Sequence, residues 1–137
     1  MRLTSFTDYG LRVLMRMAGE PDRHFTTGEL ADEFKVSRNH LAKVISALSN
    51  NGLLKTRRGG GGGATLAQDP AKIRLGDVVE LLESDQALVE CFQPGGHACT
   101  LMPQCRLKAL LTHAEQEFLA DLNRSTLADC VYPAINI

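Results

Sequence analysis

Thr26-Thr27-Gly28-Glu29 carries the pattern of a reciprocal helix cap, and Ser37 offers a second cap just beyond Leu30, Ala31 and Phe34. In the first pattern the Thr hydroxyl accepts from the main chain three residues on, while the Glu reaches back to the cap residue. A helix is therefore expected over 27–34. Another should follow over 37–51, with Leu41, Val44, Ile45 and Leu48 at helical spacing and Gly52 at the position that ends a helix in a left-handed turn. Leu53–Arg57 then reads as a strand, the glycines 59–63 as a turn, and Ala64–Leu66 as a second strand. Helix, two-residue turn, helix, hairpin is the order of a winged helix-turn-helix.

The flanks fit that frame. Residues 5–18 should form a helix capped by Ser5, with Phe6, Tyr9, Val13 and Met17 on one stripe and Gly19, Pro21 and Asp22 as its stop. Leu75–Glu83 is a further short helix. Residues 84–104 hold Pro94, Gly95, Gly96 and Pro103 and show no periodicity. A structureless stretch of that length inside a compact domain calls for a functional reason. From Cys105 the helical pattern returns, with Leu107, Leu110, Leu111, Ala114, Phe118 and Leu122 at three- and four-residue steps. At about 1.5 Å per residue such a helix spans about 27 Å, long enough to pack on a second subunit. The expected fold is mainly α with a small β-hairpin wing: a winged helix-turn-helix plus a long C-terminal dimerisation helix. The expected division is a DNA-binding domain at 1–83, a loop at 84–104 that holds an inorganic centre, and a dimerisation helix and tail at 105–137.

With 137 residues, 44% of them hydrophobic and 23% charged, the chain can bury one core. It has no apolar run of membrane-spanning length and no signal-peptide pattern, so a cytoplasmic protein is expected. The net charge is −1, but its distribution is uneven. Lys35, Arg38, Lys43, Lys55, Arg57 and Arg58 lie in a stretch ending at Gln68 that holds no acidic residue. A basic block in a near-neutral chain points to a polyanion, and nucleic acid is the commonest.

In a helix-turn-helix the second helix enters the major groove with its N-terminal residues at the base edges. Those residues are Ser37, Arg38, Asn39 and His40, with Lys43 one turn on. Arg can pair bidentately with guanine and Asn with adenine. Arg57 and Arg58 stand at the base of the wing, placed for phosphates or a narrow minor groove. The glycines are not a phosphate loop: Gly63 is followed by Ala64-Thr65, without the required Lys.

Of four cysteines, Cys91, Cys99 and Cys105 fall within fifteen residues. Soft thiolates select zinc, copper(I) or iron–sulfur clusters. Structural zinc sites use closer pairs than these intervals provide, and wider spacing suits a cluster held in a loop. A fourth ligand is needed, and His97 is one candidate and Cys130 another. Cys130, beyond the long helix, reads as a buried or incidental thiol. No catalytic constellation stands out, although a metal-dependent enzyme or redox protein could use the same three thiolates.

Several segments together carry a resemblance. They are Leu3-Thr4-Ser5-Phe6-Thr7-Asp8-Tyr9-Gly10-Leu11-Arg12, Val36-Ser37-Arg38-Asn39-His40-Leu41, Arg58-Gly59 with Gly62-Gly63, Ile73-Arg74-Leu75-Gly76-Asp77-Val78-Val79, and the three cysteines. The chain resembles the family of iron–sulfur winged-helix regulators from Met1 to about Val131, and is most similar to its nitric-oxide-sensing repressors. The resemblance implies a homodimer that binds a palindromic operator in double-stranded DNA. It implies a 4Fe–4S or 2Fe–2S cluster on Cys91, Cys99 and Cys105, and release of DNA on nitrosylation. It also implies Asp8 of the partner subunit as fourth ligand, beside the local alternatives that Asp8 caps its helix or that His97 ligates. Lys108 stands where cluster-assembly regulators of the family place a histidine ligand. The seven-residue interval between Cys91 and Cys99 is similar to that of iron-responsive members, so iron or cluster status is the alternative signal.

Overall fold

The computed structural model describes residues 2–58, 62–95 and 99–133. Helix α1 spans Ser5–Gly19. Its cap is Thr4 and not Ser5: the Thr4 backbone is extended, its hydroxyl accepts from the Thr7 amide at 3.2 Å, and Ser5 is already helical. Asp8 therefore sits inside the first turn and makes no capping box. Helix α2, Thr27–Phe34, has the expected reciprocal cap between Thr26 and Glu29. Lys35 turns the chain in the left-handed region at φ 58°, and helix α3, Arg38–Asn50, starts on the Ser37 hydroxyl. Gly52 ends the turn after α3 at φ 76°, as its position predicts.

Strands β1, Leu54–Arg57, and β2, Gly63–Leu66, pair antiparallel from Leu54↔Leu66 to Arg57↔Gly63. The hairpin is anchored by a third segment that sequence periodicity does not show. Phe25, just before α2, exchanges both main-chain hydrogen bonds with Ala64 at 2.9 and 2.8 Å. That approach requires Gly63: its φ is +124°, and a β-carbon there would stand 2.8 Å from the Phe25 carbonyl oxygen. Helix α4 spans Leu75–Leu82 and helix α5 spans Arg106–Leu122.

Val13, Leu14 and Met17 of α1, Leu30 of α2, and Leu41, Val44 and Leu48 of α3 are fully buried around Phe25. The core also contains Leu127, from beyond α5. After α5 the chain turns back onto the body. The Leu127 amide donates to the Ile73 carbonyl at 2.8 Å, Leu75 donates to Ser125 at 3.2 Å, and Tyr132 donates to Met15 at 3.0 Å. Asn123 caps α4 by accepting from the Asp77 amide at 2.9 Å and donating to the Asp77 carboxylate at 3.0 Å. Gly76 makes room for this: a β-carbon would collide with the Leu119 carbonyl of α5 and the Asn123 side chain. The end of α5 is thus built into the winged-helix body. The start of α5 is not: Leu107 and Leu110 are 60% and 67% exposed, and Leu101 and Met102 beside them are also exposed.

Replacing Leu127 by Ala should cost about 2–5 kcal/mol of folding stability, read from urea unfolding. A loss below about 0.5 kcal/mol, typical of a surface site, would show that the tail is not part of the core.

Candidate nucleic-acid interface and thiol loop

The cap on Ser37 leaves the first turn of α3 at the surface, with Ser37, Arg38 and Asn39 exposed. Lys43 is exposed one turn on, and Arg57 and Arg58 are exposed at the end of β1. The Ser37 hydroxyl is engaged by the His40 amide at 3.1 Å. His40 itself turns inward. Its ring meets Tyr9 and Phe6 of α1 edge to face, with centroids 5.6 and 6.4 Å away, and its Nε2 is buried with no partner among the described residues. His40 thus backs α3 onto α1, while its neighbours face solvent.

The charges divide in the same way. Arg12, Arg16 and Arg23 are each paired: Arg12 with Asp8, Arg16 with Glu20 and Glu33, and Arg23 with Glu20 and Glu29. Among the described residues Arg38, Lys43, Arg57 and Arg58 make no ion pair. Exposed cations without intramolecular partners keep their charge available to a polyanion.

The three clustered cysteines lie between α4 and the first turn of α5 in the chain. Cys91 is half-buried in a single 3-10 turn, Glu90–Phe92. Cys99 is exposed, and Cys105 is half-buried at the N-cap of α5, where its side chain makes no capping hydrogen bond. All are free thiols. Among the described residues, main-chain hydrogen bonds donated within this loop reach back only three residues: Gln86 to Glu83, Phe92 to Val89, Gln93 to Glu90, and Met102 to Cys99. Among the described residues no three His, Cys, Asp or Glu side chains come together as a metal-holding group. Cys91, Cys99, Cys105 and Asp8 therefore form no such group, and His97 lies outside the described residues.

Asp8 is exposed on α1, and both of its oxygens are taken by Arg12, from Nε to Oδ1 and from Nη2 to Oδ2, each at 2.9 Å. The same guanidinium lies 4.9 Å from the centre of the Tyr9 ring. Sequence reasoning passed over Arg12, although opposite charges four residues apart on a helix were the available signal. Cys130, in the 3-10 turn Leu127–Cys130, donates weakly to the Leu127 carbonyl at 3.6 Å. Burial, and then the nearby Asp129 carboxylate, push its thiol above the ordinary cysteine range.

The Rrf2 family, described as iron-dependent transcriptional regulators, matches residues 3–133. The chain belongs to the Rrf2 family. It is 42% identical over 132 residues, 96% of its length, to the HTH-type transcriptional regulator NsrR of Bacillus subtilis, of which it covers 90%. Among solved structures it superposes on CymR, the global cysteine regulator of B. subtilis, with a TM-score of 0.75 at 23% identity, over 98% of this chain and 99% of that one. T. potens IscR gives 0.71 at 22% identity, over 94% and 85%. These two likenesses speak for the fold, which is the winged helix-turn-helix anticipated. This Rrf2 chain is a DNA-binding transcriptional regulator and not an enzyme, so the reading as a metal-dependent catalyst falls. No helix among the described residues is long and apolar enough to cross a membrane.

Because the thiolate is the reactive form, Cys130 should be alkylated by iodoacetamide more slowly than exposed Cys99 at pH 8. Peptide mass spectrometry over a time course checks this. Equal rates would contradict the burial of Cys130.

Proposed function

We propose that this Rrf2 chain is a homodimeric repressor that carries an iron–sulfur cluster and releases its operator in response to nitric oxide. The observation that carries the reading is the set of three free thiols on a loop without long-range main-chain bonds of its own. It stands between a winged helix-turn-helix and a helix whose start exposes Leu107 and Leu110. The kinship with NsrR supports it.

The donor set fits a cluster. Three soft thiols are available, none in a disulfide. Cys105 stands at the N-cap of α5, its side chain not engaged in capping. Asp8, given across the dimer, would be the fourth ligand and a harder, more readily displaced donor than sulfur. When bound, the cluster would supply an iron open to nitric oxide. The chain's own residues do the rest. Arg12 holds both oxygens of Asp8 in this structure and so competes with any metal for them. Leu101, Met102, Leu107 and Leu110 would be covered by a second copy of the same helix. A palindromic operator would then meet two recognition helices, each offering Arg38, Asn39 and Lys43 to the groove, with Arg57 and Arg58 at phosphates. The cytoplasm, where thiols stay reduced, is the compartment this chemistry requires. Iron or cluster status is the second reading, favoured by the family's description as iron-dependent and by the seven residues between Cys91 and Cys99.

Anaerobically purified protein should be coloured and hold iron and sulfide. Ala at Cys91, Cys99 or Cys105 should abolish both, whereas Ala at Cys130 should not. Loss of operator binding with a nitric-oxide donor but not with an iron chelator supports the first reading, and the reverse supports the second. Colourless protein with tightly bound zinc would overturn both.

Asp8→Ala and Arg12→Ala both break the ion pair, but only the first removes a donor. Asp8→Ala should change the cluster spectrum and the nitric-oxide response, and Arg12→Ala should retain both. Identical behaviour of the two variants would make Asp8 an ion-pair residue and not a ligand.

Ala at Arg57 or Arg58 should weaken binding to all duplexes and flatten the salt dependence by about one unit each. Ala at Asn39 should instead relax specificity at one position per half-site, at a cost of about 1–3 kcal/mol. Unchanged binding in all three variants would remove this face from the interface.

A further inference from the structure

Gly28 lies in the first turn of α2, one residue after Thr27, in a place where a helix former would ordinarily serve better. Its main-chain φ is ordinary, so no left-handed turn requires glycine there. What occupies the space of its missing side chain is the Arg38 guanidinium. From the point where a β-carbon would stand, Cζ and Nη2 of Arg38 are both 3.0 Å away and Nη1 is 3.4 Å away. If the group approached by its edge, the nitrogens would be nearer than the carbon they flank. The near-equal distances mean that the flat face of the guanidinium is turned toward Gly28 on α2. Arg38 has no ion pair among the described residues, so neither an acid nor a salt bridge fixes it there.

We infer that Gly28 is a positioning residue for Arg38: its bare backbone is the surface on which the guanidinium is laid out before DNA arrives. This deepens the proposed operator reading and rests on it. An arginine free in solvent samples many rotamers and loses that freedom when it docks on a base edge or a phosphate. A guanidinium already stacked on α2 has given up part of that freedom beforehand, without neutralising its charge. A glycine early in α2 and an arginine at the start of α3 thus act as one unit across the turn of the motif. A β-carbon at position 28 would stand tighter against the guanidinium than ordinary van der Waals contact, and the group would have to give by a few tenths of an ångström. Because the obstacle is the far end of a flexible side chain, the displacement is cheap for the fold.

The decisive experiment is a double-mutant cycle on the full-length protein, purified anaerobically. The variants are Gly28→Ala, Arg38→Ala and the pair. The probe is a duplex enriched from a randomised pool by the unmodified protein, with a scrambled duplex of the same composition as the reference. Gly28→Ala should lower affinity for the enriched duplex about two- to threefold, the lower end of what ordering one long side chain costs, because the guanidinium shifts without losing all of its order. Its thermal midpoint should not fall, because Ala favours a helix over Gly. In the Arg38→Ala background the same substitution should have no effect on affinity. Wild-type affinity in Gly28→Ala, with Arg38→Ala weakened, overturns this inference and leaves the operator reading intact. So does an equal loss from Gly28→Ala in both backgrounds, since position 28 would then act without Arg38. If Arg38→Ala itself binds the enriched duplex as tightly as the unmodified protein, the assignment of Arg38 to the interface falls, and the role of Gly28 falls with it.

Discussion

The backbone of α5 lies directly against Gly76 of α4, and the remainder of the architecture depends on that approach. Only a residue without a side chain lets the Leu119 carbonyl come so close. The approach brings Asn123 onto the first turn of α4, where it caps a helix that has no side-chain cap of its own. It also directs the chain after α5 back to Ile73 and Met15, so that Leu127 reaches the core. A helix that would otherwise be an appendage is therefore fixed at one end to the body carrying α2 and α3. Its other end keeps Leu107 and Leu110 exposed. The orientation of two recognition helices in a dimer would then be set by a rigid path through α4 and the core.

The parts of the fold legible in the sequence are those determined within a few residues. The reciprocal cap at Thr26 and Glu29, the cap at Ser37, the turn at Gly52 and the hairpin all depend on local chemistry. The errors and omissions arise where a local rule has two solutions or where the partner is distant. Thr4 and Ser5 are both competent caps, and only the backbone course decides between them. Phe25 joins the hairpin through pairing with Ala64, which no pattern around Phe25 reveals. Leu127 enters the core because α5 returns the chain there, not because its neighbours are apolar.

The candidate site divides in the same manner. Arg38, Asn39, Lys43, Arg57 and Arg58 were legible because helix polarity and strand ends place them at the surface. The inward turn of His40 was not, since its cause is an aromatic pair on α1, Phe6 and Tyr9. The thiols were legible as a group by spacing alone. They form no metal-holding group among the described residues, where the main-chain hydrogen bonds of the loop are local. The pairing of Arg12, Arg16 and Arg23, against the unpaired cations of α3 and the wing, depends on acidic neighbours that a count of charges does not locate.

The short reach of the hydrogen bonds in the thiol loop also bears on how such a protein can diversify. Each of those bonds closes over three residues, so a change of length within the described part of the loop breaks only local pairing. Lengthening a flexible loop is cheap: a doubling costs only about 0.6 kcal/mol in closure entropy. The winged helix-turn-helix would not register the change, because its core draws nothing from the loop. Under the proposed function, thiol spacing would thus be an evolutionary variable separable from the winged helix-turn-helix that carries it.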